Sequence, residues 1–329
     1  MAQTSRPTYR LALADVARRV VVDYLGLTAG ESFLLVTDNS VAETLAESIL
    51  TAAEETGVDP AHSRIRRRRT SGEEPPAPVA AAMAAADVCL CIASRSIYHT
   101  EATGRARAAG TRGCVNAPAD LGAWTEGAMT ADYGAIRTIA ERLAARLRGA
   151  EWVRVTSPAG SDITVSTLGR EPRGWYTGIV RKPGEVSAFP GGEVSFPPLE
   201  GTANGVIVFE GVVTDLGAIA EPIRITVRDG LAVAIDGGAD ASRLRALIDG
   251  VPNATNIGEL GIGLNPAARV NDDITETKKR IGTAHLALGD NAGGYGGVVE
   301  STVHLDGMLF DVTVTIDGDE VVRDGEVLV

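Results

Sequence analysis

The sequence is poor in aromatic residues and cysteine. The first shortage limits the composition of the core, and the second argues against disulfide-stabilised proteins. Aromatic residues make up 4% of the 329 residues, so we expect a core built mainly from alanine, valine, leucine and isoleucine. Three cysteines, Cys89, Cys91 and Cys114, are an odd number in a long chain, which argues against a disulfide framework. Cys89 and Cys91 stand in the apolar run VCLCIAS, where we expect small buried side chains.

Membrane-spanning segments and export signals are also missing. No run approaches the roughly 18 apolar residues that cross a bilayer, and the first ten residues hold no apolar stretch of signal-peptide length. We therefore expect a cytoplasmic protein with no membrane partner. The 31 basic and 43 acidic residues give a net charge of −12, which repels phosphate backbones and argues against nucleic acid as a partner.

The first 150 residues alternate helices with apolar strands. Helices are predicted at 11–26, 41–55, 101–109 and 132–148, with a further alanine-rich one that ends near Asp87. Ser40 is the predicted N-cap of the second helix. Strands are predicted at FLLVTD (33–38), 88–93 and 113–116. This alternation is typical of an open, largely parallel α/β sheet.

Beyond Trp152 the sequence changes to short runs of β-branched residues between glycine and aspartate turns. One helix is predicted at 239–250, and tight hairpin reversals are predicted at four Asp-Gly steps, which begin at Asp229, Asp306, Asp317 and Asp324. The sequence therefore predicts an α/β domain at 1–150, followed at 151–329 by a mostly β (α+β) domain that carries the functional site.

Two of the four histidines fall in the last fifty residues. His304 and Asp306 stand two apart in STVHLDGMLFDVTV, so an extended backbone points both side chains to one face. His285 lies in a second strand-like segment, GTAHLALGD. Imidazole and carboxylate ligands suit zinc, manganese, cobalt or ferrous iron. A divalent-metal site is one interpretation, and a core histidine beside a turn is the alternative.

Two glutamates stand in segments framed by glycine and proline. Glu193 lies in FPGGEVSFPPLEGTANG and Glu259 in NIGELGIGLNP. A glutamate between glycines and an apolar run is either exposed or bound to a partner. Spacing alone leaves both possibilities open.

Taken together, these segments resemble the thermophilic aminopeptidase (aminopeptidase T) family of metallopeptidases. The resemblance is carried, in this order, by GGEV at 191–194 with EGTANG at 200–205, IGELGIG at 257–263, GTAHLALGDN at 282–291 and VHLDG at 303–307. It implies one or two divalent ions, zinc, cobalt or manganese, held by five ligands: Glu193, Glu259, His285, His304 and Asp306. Glu193 or Glu259 is then also expected to act catalytically, by moving a proton of metal-activated water.

Three further residues are expected to contact the substrate. His99 follows the strand at 88–93, at the carboxyl end where open α/β sheets bind ligands, and members of the family carry a similar S-x-x-H-T stretch. His99 is therefore either a residue that binds substrate or transfers a proton, or a surface or capping histidine, and the resemblance favours the first interpretation. Tyr295 and Asn204 are the other predicted substrate contacts. The tyrosine that aminopeptidase members carry seven residues beyond the metal-binding histidine is Ala292 here, with Tyr295 close by.

The resemblance implies a metal-dependent hydrolase that cleaves an amide or related C–N bond in a peptide-like or small-molecule substrate, and we expect a homodimer. The same family contains a branch similar to 2,5-dihydroxypyridine 5,6-dioxygenase, a ring-cleaving enzyme with one Fe(II) ion held by two histidines and an aspartate. Retention of Glu193 and Glu259 favours hydrolysis over this alternative. A metal-containing binding protein without turnover is the third hypothesis, and the intact ligand set argues against it.

Overall fold

The computed structural model describes residues 6–174, 177–292 and 295–329, and the side chains of 6–8, 114 and 115, including that of Cys114, lie outside the description. The chain divides into two compact units, the first formed by Met1–Tyr133 with Tyr176–Gly191 and the second by Gly134–Trp175 with Gly192–Val329. This division falls earlier than the predicted boundary near residue 150. The helix that follows Tyr133 belongs with the second unit, where Arg146 pairs with Asp319 at 2.7 Å.

The helices follow the predicted pattern closely. They are α1 (Arg6–Arg18), α2 (Glu43–Glu54), α3 (Ala77–Ala85), α4 (Glu101–Ala109), α5 (Leu121–Thr125), α6 (Tyr133–Leu147), α7 (Ala239–Ile248) and α8 (Ile274–Thr277). A π-helical segment at Arg19–Tyr24 extends α1, and a 3-10 turn occupies Ala128–Thr130. Within the described residues, no helix is long and apolar enough to cross a membrane.

The strands form two sheets. In chain order the strands are β1 (Phe33–Asp38), β2 (Ala61–Ile65), β3 (Val88–Ile92), β4 (Arg112–Ala117), β5 (Trp152–Thr156), β6 (Asp162–Ser166), β7 (Val186–Ser187), β8 (Glu193–Phe196), β9 (Asn204–Val213), β10 (Gly217–Ala218), β11 (Ile223–Arg228), β12 (Leu231–Asp236), β13 (Ile257–Gly263), β14 (Ala284–Gly289), β15 (His304–Leu309), β16 (Thr313–Ile316), β17 (Asp319–Arg323) and β18 (Glu326–Val327).

The first unit contains the predicted parallel α/β sheet. Among the described residues its strand order is β2-β1-β3-β4-β7, and every pairing is parallel. The run FLLVTD forms β1 and is buried throughout, as expected of a strand with helices on both faces. The second unit is built on a larger antiparallel sheet, in which the path β9-β15-β14-β13-β8 contains the strands discussed below. The predicted fold class, an α/β domain and a mostly β domain, is confirmed.

The predicted N-cap of α2 is wrong. The residue before the helix is Ala42, which makes no side-chain cap. Ser40 instead donates its backbone N–H and its hydroxyl to Oδ1 of Asp38. Ser94 donates its backbone N–H and its hydroxyl to Oδ2 of the same carboxylate. Asp38 is a buried carboxylate at the end of β1, and satisfying it takes precedence over capping.

Three of the four Asp-Gly steps form the predicted hairpin turns. Asp229, Asp317 and Asp324 have φ values of 48°, 49° and 47°, as type I′ turns require. The prediction of a turn at Asp306 is wrong, because Asp306 and Gly307 lie inside β15. Glycine is needed at 307 for packing, since a Cβ there would lie 2.3 Å from the ring of Phe209.

An ion pair fastens the loop before β1 to β4. Arg112 donates Nη1 and Nη2 to the two carboxylate oxygens of Glu31 at 2.6 and 2.8 Å, and it also donates to the carbonyl oxygens of Leu25 and Gly26. The hydrogen bonds from Arg112 lower the pKa of Glu31 from 4.5 to about 2. A depressed carboxyl pKa means that the folded state is stabilised by the ionised form.

We expect Glu31→Gln to destabilise the protein at pH 7, and the deficit to shrink as the pH falls. The stabilisation by ionised Glu31 is complete above pH 4.5 and is lost as the pH falls toward 2, the pKa in the folded state. Urea unfolding of both proteins between pH 7 and pH 3 measures the difference in free energy of unfolding. A deficit that stayed constant over this range would contradict the assignment.

Candidate metal centre

Four neighbouring strands of the second unit carry the five predicted ligands. These strands lie side by side in the order β8-β13-β14-β15, and each is antiparallel to its neighbours. They carry, from one side to the other, Glu193, Glu259, His285, and the pair His304 and Asp306.

The register between β8, β13 and β14 places their ligands on one face. Glu193 stands opposite Gly263, and His285 stands opposite Gly261, two residues earlier on β13. Glu259 lies a further two residues along the same strand. Opposed residues share a face of an antiparallel sheet, and so do residues two apart on one strand. Glu193, Glu259 and His285 therefore project to the same side.

The pairing of β14 with β15 adds the remaining two ligands to that face. Ala287, two residues beyond His285, stands opposite Asp306, and Gly289 stands opposite His304. His304 and Asp306 both lie in β15, so the prediction that their side chains share one face of an extended segment is confirmed. The opposing positions are occupied by alanine and glycine, which leave room above the sheet for the imidazole and carboxylate groups.

Gly261 provides the space in which the His285 ring lies. A Cβ at position 261 would be 2.1 Å from Cε1 and 2.4 Å from Nε2 of His285, far inside van der Waals contact. The ring therefore rests directly on the backbone of β13. The alternation of glutamate and glycine in IGELGIG fits this arrangement, because Glu259 is a predicted ligand and Gly261 lies beneath the imidazole.

The distances between the ligand atoms suit coordination of one ion. Nε2 of His285 is 3.6 Å from Oε2 of Glu193 and 3.7 Å from Oε2 of Glu259. Nε2 of His304 is 3.2 Å from Oε2 of Glu259 and 3.4 Å from Oδ1 of Asp306. Two ligand atoms that are each about 2.1 Å from an ion, at a tetrahedral angle, lie about 3.4 Å apart. The observed distances lie on both sides of this value.

Several polar atoms of the cluster are buried without a partner. Among the described residues, Oε2 of Glu193, both ring nitrogens of His285 and Oδ1 of Asp306 make no hydrogen bond. His285 is 0% and Glu259 1% exposed to solvent. Buried polar atoms without partners are destabilising unless something else binds them. Glu259, His285 and Asp306 each offer an atom within 4.8 Å of the others, so these residues form a site that fits a divalent metal ion.

The backbone fixes how His304 presents its ring. Nδ1 of His304 lies 2.8 Å from the carbonyl oxygen of Asp290. A carbonyl oxygen only accepts, so Nδ1 carries the proton and Nε2 is left to face Glu259 and Asp306. This outer hydrogen bond is the arrangement that orients most metal-binding histidines.

Three cations, which the sequence analysis missed, complete the cluster. Each binds one oxygen of one carboxylate: Arg173 Nη2 binds Oε1 of Glu259, Lys278 Nζ lies 2.8 Å from Oδ2 of Asp306, and Lys279 Nζ binds Oε1 of Glu193. The second oxygen of each carboxylate faces the imidazoles. The cations therefore permit the carboxylates to be buried and also aim them.

A signal for two of these cations was present in the sequence. The chain has only three lysines among 31 basic residues, and two of them are the adjacent Lys278 and Lys279. An ammonium group is a compact point charge, whereas a guanidinium needs a broad planar site. Two adjacent lysines in an arginine-rich chain therefore set these positions apart from its other basic residues. Arg173 carried no comparable signal.

The charges of the cluster shift the ionisation of its members. Burial alone lowers the pKa of His304, but Asp306 and Glu259 outweigh it and raise that pKa to about 10. Burial raises the pKa of Glu259, yet the two imidazoles, Lys278 and Arg173 hold it well below its usual value. A metal ion therefore meets ionised carboxylates and competes with a proton for Nε2 of His304.

Tyr295, whose role as a substrate contact stays a prediction, lies against the cluster. Its ring stacks on that of His304 with centroids 4.3 Å apart and an angle of 18° between the planes. The guanidinium of Arg173 lies 4.4 Å from the centre of the tyrosine ring. Burial and the negative charge of Glu259 raise the pKa of the Tyr295 hydroxyl, so it is neutral and can act as a hydrogen-bond donor.

Glu200 anchors the loop that carries Tyr295. Oε1 of Glu200 accepts from Nδ2 of Asn291 at 2.9 Å and from the backbone N–H of Val298 at 3.0 Å, and the other oxygen binds Arg170. Both ends of the loop are thus tied to one carboxylate. The EGTANG segment of the resemblance therefore supports the site without supplying a metal ligand.

The other two predicted substrate contacts lie elsewhere. Asn204 begins β9, is exposed, and directs its side-chain hydrogen bonds to Thr202 and Asp229 rather than to the cluster. His99 belongs to the first unit, where it follows β3 and packs against Tyr98 with ring centroids 5.0 Å apart. Substrate binding by Asn204 and His99, and proton transfer by His99, stay predictions.

We expect Gly261→Ala to weaken metal binding about tenfold or more, because the added methyl group displaces a ligand ring and a misplaced ligand loses much of its coordination energy. Calorimetric titration with Zn²⁺ measures the loss, and thermal melting checks that the variant folds. Gly104→Ala is the matched control, since nothing lies within 4 Å of a Cβ at that helical position. Unchanged Zn²⁺ affinity in a folded Gly261→Ala protein would rule out His285 as a ligand in this position.

Comparisons with known proteins place the chain in a family. In structure the chain is similar to 2,5-dihydroxypyridine dioxygenase from Pseudomonas putida KT2440, with a TM-score of 0.77, 20% identity and 97% of each chain covered. It is also similar to AmpT from Thermus thermophilus, with a TM-score of 0.70, 18% identity, and coverage of 98% of this chain and 100% of that one. No curated protein matches in sequence. The family model for NicX, 2,5-dihydroxypyridine 5,6-dioxygenase, matches residues 16–329, and the chain therefore belongs to that enzyme family.

Proposed function

We propose that the chain is an iron(II)-dependent dioxygenase that cleaves the ring of a dihydroxylated pyridine or a related hydroxylated aromatic compound. The observation that carries the proposal is the convergence of His285, His304 and Asp306 above β14 and β15, in a chain that matches the dioxygenase family over residues 16–329. Two imidazoles and one carboxylate are the ligand set of non-haem iron(II) oxygenases, which keep coordination positions open.

The ion pairs of the two glutamates add support. In the sequence alone, the presence of both Glu193 and Glu259 favours hydrolysis. In the folded chain Lys279 and Arg173 each bind one oxygen of these carboxylates and offset their charge. Neutralised carboxylates are less able to hold two divalent ions close together, which favours a single ion.

The side chains around the ligands have distinct tasks in this reaction. A bound Fe(II) ion would relay electrons from the substrate ring, which is the reductant, to O₂, and both oxygen atoms would enter the ring-opened product. His304 is held in one tautomer by the carbonyl oxygen of Asp290. Tyr295 covers one face of the His304 ring and limits its rotation. Lys278 occupies Oδ2 of Asp306, so that only Oδ1 is directed at the ligand site.

A metal-dependent hydrolase is the second candidate. It is favoured by Oε2 of Glu193, which is buried, has no hydrogen bond among the described residues and lies 3.6 Å from His285. This oxygen is surplus to a ligand set of two histidines and Asp306, and it could accept a proton from metal-activated water. The fold shared with AmpT is compatible with this candidate.

We expect the Fe²⁺-loaded protein to consume O₂ when 2,5-dihydroxypyridine is added, and to place two ¹⁸O atoms in the product formed under ¹⁸O₂. An oxygen electrode and mass spectrometry make these measurements. Asp306→Asn should reduce the rate about 100-fold or more, because it removes the only anionic member of the proposed ligand set. His62→Gln is the matched control, since His62 lies in the first unit and is hydrogen-bonded to Thr37.

Hydrolysis makes a separate prediction. The Co²⁺- or Zn²⁺-loaded protein would release nitroaniline from an aminoacyl p-nitroanilide, and Glu193→Ala would abolish the release because the proton acceptor is gone. Full activity of Glu193→Ala would exclude that role. Absence of O₂ uptake with dihydroxylated pyridines and benzenes, together with nitroaniline release, would reverse the order of the two candidates.

A further inference from the structure

We propose that the metal centre binds its substrate as an anion, through deprotonated ring oxygens, and that Lys278 is the residue that enforces this charge. The inference rests on the proposed function, since it assigns the ionisation state of the substrate to that same site. The evidence for this inference is the presence of three cations in the cluster, because a set of metal ligands does not by itself require them.

The first step is the charge of the cluster. Glu193, Glu259 and Asp306 are matched one to one by Lys279, Arg173 and Lys278. Whichever partner in each pair holds the shared proton, the pair is neutral. The two histidines are also neutral when a ring nitrogen binds a metal. With the histidines in this metal-bound state, the charges of the described residues of the cluster sum to zero, and only the charge of the ion remains.

The second step is the effect of a divalent ion. The bound ion therefore makes the cluster doubly positive, and most of its members are almost fully buried. Uncompensated charge in a buried site is strongly unfavourable. A ligand with deprotonated oxygens restores neutrality, whereas a neutral ligand does not. The ionised hydroxyl groups of a dihydroxylated ring have the required charge, and they bind hard divalent ions well.

The third step identifies Lys278 among the three cations. Its side chain is 17% exposed, whereas those of Lys279 and Arg173 are each 7% exposed, so Lys278 is the most accessible to an incoming ligand. The negative charges of Glu193 and Glu259 also act on its ammonium group, in addition to that of Asp306. Lys278 thus lies where it opposes the metal ion and attracts an anion.

These opposed effects give a test with two readouts. Lys278→Met keeps the length of the side chain and removes its charge. We expect this variant to bind Zn²⁺ several-fold more tightly, because Asp306 no longer shares its charge with an ammonium group, and to bind an anion about tenfold or more weakly. The anion is 4-nitrocatechol, whose protonated and deprotonated forms differ in visible absorption. Redox-inert Zn²⁺ keeps the measurement free of turnover.

Two control variants accompany the test. Lys278→Arg retains the positive charge and should recover most of the affinity for 4-nitrocatechol. Lys182→Met removes the one lysine outside the cluster, which is exposed in the first unit, and should change neither affinity. The proposal is overturned if Lys278→Met binds 4-nitrocatechol as tightly as the wild type. It is also overturned if Zn²⁺ and 4-nitrocatechol weaken together, because that result indicates a merely structural role.

The wild-type protein provides a second measurement in case Lys278→Met does not fold. At a pH where the free probe is protonated, the Zn²⁺-loaded protein should bind 4-nitrocatechol with the absorption spectrum of a deprotonated form. Its dimethyl ether, 4-nitroveratrole, which has no ionisable hydroxyl group, should not bind. Binding of the protonated probe, or equal binding of the ether, contradicts the proposal.

Failure of this inference is separable from failure of the proposed function. The probe experiments use Zn²⁺ and no O₂, whereas the dioxygenase activity is read from O₂ uptake with Fe²⁺. Lys278-dependent binding of the anion without any O₂ uptake leaves the inference standing and removes the dioxygenase. O₂ uptake with a probe that binds in its protonated form does the reverse.

Discussion

The second unit depends on burying five ionisable side chains on one face of an antiparallel sheet. Such a face is unstable unless every carboxylate has a partner, and the three cation–carboxylate pairs meet this condition. Each pair uses one oxygen of its carboxylate and turns the other toward the imidazoles. The interactions that allow the charges to be buried are therefore also the ones that shape the metal centre.

Local sequence predicted the parts of this site that depend on local geometry. The spacing of His304 and Asp306 gave their common face, because the side chains of an extended strand alternate. The adjacency of β8, β13, β14 and β15 results from long-range pairing, and only the family resemblance pointed to it. The Asp306-Gly307 step was misjudged as a turn because Asp-Gly also occurs where a glycine must pack against a ring, here that of Phe209. Arg173 could not be predicted because a buried ion pair has no sequence periodicity, whereas Lys278 and Lys279 stand out as two of only three lysines in the chain.

The fold alone does not determine the reaction, since the chain is similar in structure to both a dioxygenase and AmpT. Which reaction takes place must therefore depend on which ligand atoms are available to the ion and on the charge of the residues around them. Tyr295 illustrates the point, because it stands three positions beyond Ala292 and yet reaches His304 through a loop that Glu200 anchors. A tyrosine at this position can therefore contact the site even though it is not at position 292.

The position of β15 in the sheet has a consequence for how the protein is made. This strand lies between β9 and β14, so the two parts of the sheet on either side of it are joined only when β15 is inserted. Glu193 and Glu259 are synthesised well before His304 and Asp306, and such non-local pairing is slow. During synthesis the five predicted ligands can therefore come together only after β15 has been made and has paired with β14.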